Sequence, residues 1–496
     1  MNRSLLSILG VLVFCFLAYF PLFFHLDTEP LKQWDESLFG LRALYLAENG
    51  EILNNFGQFD KAPGHPNTKP PLISFVQVIF MKVLGYNELA LRLPIALFGL
   101  LLMGIFYWFS LKEWGKPGIG LLGGLALLTS TQFVQPHMVR SADHDVPLSV
   151  FAFLSIIFLY RYLKNDQKKF VHLALLTLMV GFGVLTKNLF GLLFLPGFFL
   201  YFLYKRQLIP FLTSGRFVGS LGILAGLLGG FYIVWEIQNP GIMNRIWEYE
   251  ILKRYTTALE NHEGSIFYYV SLWIEGGFMP WVLFIPITFG LLFIEKYKAY
   301  HDFIVITAFC FFITLIAISL GSTKTVWYSA VLYPILGIWT GISLNLLLEG
   351  SVRLLKPLSI PKIGIITLEL LLLFGIPYYH VMENILKEDY VYPQERYGHF
   401  MNQHARVHPS DQDYKIHLSS WDTHAIYYVN AFNSGKGFNL GVNRDPSGLK
   451  VGQKVLVCTQ KDFNRIKKRF KFDKVREYKD CTMVLLKEKI RDTQSN

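Results

Sequence analysis

Long apolar runs separated by short charged loops constrain this chain more than any other feature. Runs of about twenty apolar residues recur from residue 5 to residue 379, and an α-helix of that length can cross the hydrocarbon core of a bilayer. Hydrophobic residues make up 52% of the 496 residues and charged residues only 17%. These values predict a mainly α fold, a polytopic membrane helix bundle. The formal net charge of +11 reflects lysines and arginines in loops between spans, so nucleic acid is not an expected partner.

The distribution of positive charge predicts the topology. An ambiguous apolar stretch, 71–85, begins with two prolines and contains Lys82. If this stretch does not cross the membrane, nearly all basic loops fall on one face, as the positive-inside rule requires. We therefore expect about eleven spans, with the N-terminus inside, the C-terminus outside and 71–85 among the outer juxtamembrane helices. The candidate spans are 5–26, 93–111, 118–135, 147–163, 171–186, 189–204, 217–235, 271–294, 303–320, 328–348 and 363–379.

The C-terminal part of the chain has a different character. Hydrophobicity falls after about Tyr379, so we divide the chain into a transmembrane domain, 1–379, and an extracytoplasmic soluble domain, 380–496. Alternating stretches at 454–458 and 482–486 flank a helical pattern at 461–469, which predicts a small α/β or α+β domain. Cys458 and Cys481 lie in these stretches. An extracytoplasmic tail would allow them to form a disulfide, and free thiols are the alternative.

The predicted topology gathers polar loop residues on the outer face. Ionisable groups at a membrane boundary are costly to desolvate, so they usually serve a function. The first outer loop contains Asp35 and Glu36, followed by Lys69 before a proline pair. Later outer loops contribute Arg140, Asp143, His144, Asp145, Lys187, the segment 245–262 and Lys324. This asymmetry predicts an active site that faces outward.

Six segments within residues 30–335 carry a family resemblance. In chain order they are WDESLFGLRALYLAENGE, TKPPLISFVQVIFMKVLGYNELALRLP, VRSADHDVPLSVF, GVLTKNLFGLLFLP, KRYTTALENHEGSIFYY and GSTKTVWYSAVLYP. Together they resemble the GT-C superfamily of membrane glycosyltransferases, in the branch of the protein O-mannosyltransferases and the aminoarabinose (ArnT-type) lipid A transferases. The resemblance implies transfer of a sugar from a polyprenyl-phosphate carrier to lipid A, another glycolipid or a protein. It places this reaction at the outer face of the cytoplasmic (inner) membrane, so membrane lipids are expected partners.

The resemblance also implies roles for individual residues. The family's acid in the first loop falls on Asp35, and its lysine before a proline pair falls on Lys69. The acid of the second loop falls best on Asp145, with Asp143 as the alternative. The lysine of the third loop falls on Lys187.

The chemistry of such a transfer requires residues of these types. A carboxylate can take the proton from the acceptor hydroxyl, and Asp35 is the candidate, with Glu36 as the alternative. Attack opposite the phosphate would invert the anomeric centre. The leaving phosphate requires positive charge around it, for which the outer loops offer Lys69, Lys187, Arg254 and Lys324. Further candidates for substrate contact are Arg140, Asp143, His262 and Tyr328.

Several of these residues also have a purely structural interpretation. Asp35 and Glu36 could cap a surface helix, and Lys69 could anchor the chain at the membrane interface. The sequence Asp143-His144-Asp145 makes a divalent metal ion conceivable, although an ordinary polar loop explains it as well. Thr68 stands where some relatives carry a carboxylate that helps to hold a metal. We therefore assign no metal ligands and no certain cofactor.

Two other functions are compatible with such a membrane protein. A transporter or flippase for lipid-linked sugars would show related halves and polar groups near the middle of several spans, whereas these spans are nearly free of charge. A ligase or polymerase of surface polysaccharide would use similar chemistry, but such proteins often carry one large outer loop late in the chain. The sequence favours the transferase and leaves the sugar and the acceptor open.

Overall fold

The computed structural model describes residues 3–33, 35–50, 68–135, 137–164, 167–258, 262–355, 361–387, 392–420 and 422–490. Its α-helices are α1 (Arg3–Phe23), α2 (Asp35–Asn49), α3 (Leu72–Leu84), α4 (Glu88–Trp114), α5 (Pro117–Leu128), α6 (Thr131–Val134), α7 (Asp145–Lys164), α8 (Lys169–Lys187), α9 (Leu195–Tyr204), α10 (Leu208–Leu212), α11 (Gly215–Gln238), α12 (Ile242–Ile246), α13 (Lys253–Thr256), α14 (Tyr268–Leu272), α15 (Ile285–Gly290), α16 (His301–Leu320), α17 (Tyr333–Leu355), α18 (Lys362–Leu386), α19 (Arg396–Val407), α20 (Thr423–Lys436) and α21 (Gln460–Arg469). Its strands are β1 (Asp413–His417), β2 (Asn439–Asn443), β3 (Lys454–Val457), β4 (Phe470–Tyr478) and β5 (Cys481–Lys489).

Shorter helical turns connect these elements. Two π-helical turns lie at Trp247–Leu252 and Trp273–Gly277. The 3-10 helices are Asn188–Leu192, Trp281–Phe284, Leu291–Phe293, Glu295–Tyr300, Val326–Leu332, Pro393–Glu395 and Pro446–Gly448.

Within the described residues, seven helices are long and apolar enough to cross a membrane, and a helix pair bent by 110° (Tyr268–Gly277 with Trp281–Phe293) makes an eighth candidate. The seven are Glu88–Trp114, Asp145–Lys164, Lys169–Leu192, Gly215–Gln238, Glu295–Leu320, Val326–Leu355 and Gly364–Leu386. Shorter apolar helices lie at Ile8–Phe23, Leu72–Leu84, Pro117–Leu128 and Leu195–Tyr204. Every predicted span overlaps one of these elements, but the predicted spans 5–26, 118–135 and 189–204 coincide mainly with the shorter apolar helices. The chain is thus a multi-pass membrane protein, while the exact number and the orientation of the spans stay predictions.

The first of two compact units comprises Met1–Phe24, Thr68–Ile73 and Ile95–Lys387. Its core is one apolar cluster rich in aromatic rings. Close helix packing depends on small residues, as is usual between membrane helices. A Cβ atom added at Gly341 of α17 would lie 2.2 Å from the carbonyl oxygen of Ile119 on α5. Glycine therefore lets these two backbones touch.

A chain reversal at the end of α8 positions two polar residues of this unit. Asn188 adopts a positive φ of 51°, and the 3-10 helix Asn188–Leu192 then folds back along α8. A Cβ atom at Gly191 would lie 2.2 Å from the backbone nitrogen of Val184. Only glycine fits this return path, so Gly191 holds Lys187 and Asn188 at the turn.

The second unit comprises His25–Asn67, Ser74–Pro94 and Glu388–Asn496. Its five-stranded sheet has the order β2-β1-β3-β5-β4. Strand β1 pairs in parallel with β2 and β3, whereas β5 pairs antiparallel with β3 and β4. The predicted strand, helix and strand of the tail are confirmed as β3, α21 and β5. Helix α18, which precedes this part of the chain, continues past residue 379 to Leu386.

A disulfide joins Cys458, directly after β3, to Cys481, the first residue of β5. Both residues are buried. The structure thus selects the disulfide over the free thiols that the sequence left as the alternative.

Helix α2 of the first loop belongs to the same unit as the C-terminal sheet and packs against α20. A Cβ atom at Gly40 would lie 3.1 Å from the ring of Tyr427, so glycine allows the close approach. The Tyr428 hydroxyl donates to Glu88 Oε1 (2.5 Å) and accepts from the backbone nitrogen of Leu31 (3.0 Å). The C-terminal residues therefore help to fix the segment that begins with Asp35.

Candidate active site

Lys69 forms a buried ion pair with a carboxylate from a distant segment of the first unit. Its Nζ atom lies 2.5 Å from Oε2 of Glu250, and the Thr68 hydroxyl donates to Oε1 of the same carboxylate at 2.5 Å. Arg254 places its Nε atom 3.4 Å from the same Oε2 atom. The side chains of Lys69 and Glu250 are only 11% and 6% exposed, so water screens this group of charges weakly.

The surroundings shift the pKa values of both partners. Burial lowers the pKa of the Lys69 ammonium to about 8; Arg254 and Lys187 lower it as well, and Glu250 offsets part of the effect. Burial alone would raise the pKa of the Glu250 carboxyl. The charges of Lys69 and Arg254 outweigh that effect and hold this pKa at about 2. Both groups are therefore charged at neutral pH.

A second ion pair joins Lys187 to Asp145. The Lys187 Nζ atom lies 2.6 Å from Asp145 Oδ1, and both side chains are buried. Asp145 is the first residue of α7, where a carboxylate interacts favourably with the helix dipole. The Asn188 amide donates to the Thr68 carbonyl at 2.5 Å and accepts from the Tyr232 hydroxyl at 2.8 Å. This bridge brings the segments of Lys69 and Lys187 together.

Lys324 adds a further cation to this part of the first unit. Backbone hydrogen bonds tie its segment to the neighbouring loop: Thr323 N donates to the Arg254 carbonyl (3.0 Å), and Lys324 N donates to the His262 carbonyl (2.9 Å). The buried Lys324 ammonium donates to the Gly321 carbonyl at 2.6 Å. In the described part of the chain, no carboxylate lies within ion-pair distance of it.

Aromatic rings line the same group of charges. The Arg254 guanidinium carbon lies 5.4 Å from the centre of the Tyr328 ring, and Lys187 Nζ lies 5.7 Å from that of Phe190. The Tyr328 hydroxyl is buried and has no hydrogen-bond partner among the described residues. Buried polar groups are normally satisfied, so this hydroxyl is a candidate donor to a bound group.

These residues form what we call the cationic cluster: Lys69, Lys187, Arg254 and Lys324 with the carboxylates Asp145 and Glu250. Four cationic groups stand against two anionic groups, so the cluster has an excess of two positive charges when all six are ionised. A buried excess of positive charge attracts anions. The cluster is therefore suited to hold a phosphate group.

The neighbouring carboxylate of the second loop has different partners. Asp143 accepts from the Ser141 hydroxyl at 2.6 Å and lies 3.3 Å from Nδ1 of His137. The His137 ring stacks on Trp327 at 4.2 Å, and the ring of His262 lies 6.2 Å from the same indole. His144, between the two acids, is buried. Asp143 and Asp145 thus serve different groups, and only Asp145 belongs to the cationic cluster.

Arg140 binds backbone carbonyl groups at the end of α1. Its guanidinium donates to the carbonyls of Pro21 (3.0 Å) and Phe24 (2.8 Å) at the end of α1. These bonds satisfy carbonyl groups that a helix end leaves without a partner. A contact of Arg140 with substrate stays a prediction.

The two acids of the first loop occupy different environments in the second unit. Asp35 is the first residue of α2 and is partly exposed. Glu36 is completely buried, and its two carboxylate oxygens accept from Nε and Nη2 of Arg92 at 2.7 and 2.8 Å. The backbone nitrogen of Lys32 also donates to Glu36, at 2.6 Å. Asp35 is thus the more accessible of the two candidate bases.

Arg92 connects this acid to the preceding loop. Its guanidinium donates to the carbonyls of Leu26, Glu29 and Pro30 at 3.1, 2.7 and 2.8 Å. The loop before α2 is therefore wrapped around one buried ion pair. Arg92 orients the start of α2 through Glu36.

Sequence reasoning missed Glu250, Thr68 and Asn188 as members of the site, and it missed Arg92. Glu250 precedes Arg254 by four residues, and this spacing places a carboxylate and a guanidinium on one helix face. That signal was available in the sequence. The pairing of Glu250 with Lys69 was not, because the two residues are 181 positions apart.

The residues around Lys69 do not fit a divalent metal ion. The carboxylate nearest to Lys69 comes from Glu250, and the Thr68 hydroxyl donates to it. Both oxygens of Glu250 already accept hydrogen bonds, and Lys69 and Arg254 place positive charge beside it. Divalent ions require several free oxygen or nitrogen ligands and are repelled by such charges.

Comparisons with known proteins agree with this architecture. Residues 68–231 match the family model described as dolichyl-phosphate-mannose-protein mannosyltransferase. A protein of Aquifex aeolicus (strain VF5), described as uncharacterized, is 25% identical over 363 residues, which are 73% of this chain and 67% of that protein.

Solved structures share the fold over nearly the whole chain. ArnT from Cupriavidus metallidurans bound to undecaprenyl phosphate is similar with a TM-score of 0.70 and 16% identity, over 97% of this chain and 98% of that one. The archaeal oligosaccharyltransferase AglB from Archaeoglobus fulgidus, in complex with an inhibitory peptide and a dolichol-phosphate, has a TM-score of 0.54 and 12% identity, over 88% and 64% of the two chains. The chain thus shares the fold of ArnT and of the archaeal oligosaccharyltransferase, and residues 68–231 match the mannosyltransferase family model, in agreement with the resemblance seen in its motifs.

Proposed function

We propose that this protein transfers a sugar from a polyprenyl-phosphate donor to an acceptor at the outer face of the cytoplasmic membrane. The observation that carries the proposal is the cationic cluster, which is buried, has excess positive charge and lies in a unit built from apolar helices. A phosphate with a long apolar tail matches both properties. Structures with this fold hold undecaprenyl phosphate and dolichol-phosphate, which supports the choice of ligand.

The cations neutralise the charge that develops on the leaving phosphate. Ion pairs with Glu250 and Asp145 hold Lys69, Lys187 and Arg254 close together before the donor binds. Such preorganised groups contribute strongly in a site with little water, and loss of one donor typically costs about 10²–10³ in kcat. The Tyr328 hydroxyl offers a further donor to the phosphate or the sugar.

The base is assigned to Asp35 on the family resemblance and on its exposure. In the step proposed, the acceptor oxygen forms a bond to the anomeric carbon while the bond from that carbon to the phosphate oxygen breaks. The phosphate keeps the electron pair and stays on the carrier lipid, and Asp35 takes the acceptor proton. Glu36 is tied to Arg92, so we assign it a positioning role. This geometry of attack would invert the anomeric centre.

The acceptor class is left to experiment: lipid A, another glycolipid and a protein are the candidates. Asp143 is buried, but His137 beside it and His262 near the same indole are partly exposed and available for substrate contact. Placement of the site and the C-terminal domain on the periplasmic or extracellular side follows from the predicted topology.

The proposal can be tested with purified protein in proteoliposomes. The assay offers radiolabelled polyprenyl-phosphate sugars with lipid and protein acceptors in separate reactions, using the wild type, Lys69→Met and Lys82→Met. Lys82 is an exposed lysine of α3 and serves as the matched control. We expect transfer by the wild type and the control, with a loss of at least about 10² in Lys69→Met. Movement of intact donor across the bilayer without transfer would instead identify a flippase.

A further inference from the structure

The Glu250 carboxylate contacts Lys69 and Arg254, two of the cations proposed to bind the donor phosphate. It accepts from Lys69 and lies beside Arg254, so it engages two members of the cationic cluster at once. The Thr68 hydroxyl holds its other oxygen. A carboxylate, like a phosphate, is an anion whose oxygens accept hydrogen bonds from lysine, arginine and hydroxyl groups.

A phosphate that binds Lys69 and Arg254 directly would compete with Glu250 for the same donors. The Glu250 Oε2 atom already accepts from Lys69 Nζ and faces Arg254 Nε. Two anions that close to each other in a buried site repel strongly because little water screens them. The cluster contains one other carboxylate, Asp145, which is paired with Lys187 and not with these two cations.

The two carboxylates of the cluster lie in different local structures. Asp145 begins the twenty-residue helix α7 and is buried among other helices. Glu250 lies in the π-helical turn Trp247–Leu252, between the short helices α12 and α13. Trp247 and Leu252 in this turn are 60% and 49% exposed. Irregular turns of this kind occur frequently at functional sites.

We infer that Glu250 is an internal counter-ion that occupies the proposed phosphate position and is displaced when the lipid phosphate binds. The inference rests on the proposed function. Glu250 compensates the buried cations while no donor is present, since uncompensated buried charges are unfavourable. By returning after transfer, it competes with the carrier phosphate and promotes its release.

The test measures binding of undecaprenyl phosphate to the full-length protein in nanodiscs. The variant Glu250→Gln keeps the shape and the acceptor for Thr68 but removes the charge. The matched control is Glu248→Gln, on the same turn, whose side chain is 49% exposed and pairs with Lys253 at 2.9 Å. The measurement is made at about pH 6, because loss of Glu250 lowers the pKa of Lys69 further and the lysine must stay protonated.

The inference predicts that Glu250→Gln lowers the Kd by about tenfold or more, while Glu248→Gln changes it by less than about twofold. Thr68→Val is a second variant. It removes the hydroxyl that binds Glu250 but leaves the charge of the carboxylate in place, so it should also lower the Kd. Equal or weaker binding by both folded variants, beside a wild type that binds, would overturn the inference and leave the proposed function standing. Absence of saturable binding in the wild type and all variants would instead refute the proposed function.

Discussion

The pKa of Lys69 predicts how donor binding depends on pH. Burial lowers this pKa to about 8, whereas an exposed lysine titrates near 10.4. Lys69 holds phosphate only when protonated, so affinity should fall as pH rises through 8. With one required proton, the Kd increases about tenfold for each pH unit above 8 and reaches about a hundredfold by pH 10. An exposed lysine would produce less than about a twofold change over the same range.

The assay is equilibrium binding of undecaprenyl phosphate in nanodiscs between pH 7.5 and pH 10, where the phosphate itself is ionised. Lys69→Arg provides the control, because a guanidinium stays protonated throughout this range. The variant should bind more weakly than the wild type at pH 7.5. Its Kd should not show the tenfold increase for each pH unit above 8 that is expected of Lys69. A wild-type Kd that stays constant between pH 8 and pH 10 would refute the assignment of Lys69 as a phosphate ligand with a lowered pKa.

Three further predictions concern the residues that hold the site together. Arg92→Leu should lower the free energy of unfolding by about 3–5 kcal/mol, because it leaves the buried Glu36 carboxylate without its partner. A thermal melt in detergent measures the loss of stability, and an unchanged Tm would contradict the prediction. Tyr428→Phe should cost about 1–3 kcal/mol, since Glu88 and the Leu31 nitrogen lose a buried partner, and should lower kcat more than donor affinity if α2 carries the base. Gly191→Ala should reduce both the folded yield and the donor affinity, because the alanine methyl group would overlap the backbone of Val184. Normal donor affinity in this variant would show that the turn at Asn188 does not position the cationic cluster.

Much of the architecture follows from local sequence signals. Span length depends on bilayer thickness, so apolar runs such as 303–320 coincide with helices such as α16. Strand alternation and a helical pattern likewise located β3, α21 and β5. These signals lie within the elements themselves, and no knowledge of the tertiary structure is needed to interpret them.

Other features depend on contacts between segments far apart in the chain. Helix α18 continues past the drop in hydrophobicity, because helical geometry tolerates polar residues once the chain has left an apolar region. Helix α2 belongs to the unit of the C-terminal sheet because of contacts such as that between Tyr428 and Glu88. The sequence periodicity of a single element does not predict such contacts. The choice between a disulfide and free thiols also required the distance between Cys458 and Cys481.

The candidate site shows the same division. Motif order brought forward Lys69, Lys187 and Asp145, and the structure places them together in the cationic cluster. The sequence favoured Asp35 as the base through the family resemblance and kept its neighbour Glu36 as the alternative. The burial of Glu36 against Arg92 is the structural difference between them. Glu250 was missed because a carboxylate in a polar loop is ordinary until its partner is known.

The most direct test of the central claim measures turnover of a labelled polyprenyl-phosphate sugar by purified wild type and Asp35→Asn in proteoliposomes, with acceptors offered. The account predicts that the wild type forms glycosylated acceptor and free polyprenyl phosphate in equal amounts, and that Asp35→Asn binds donor normally but loses transfer. Undiminished transfer by Asp35→Asn would contradict the assignment of the base. No transfer by the wild type to any acceptor would contradict the account as a whole.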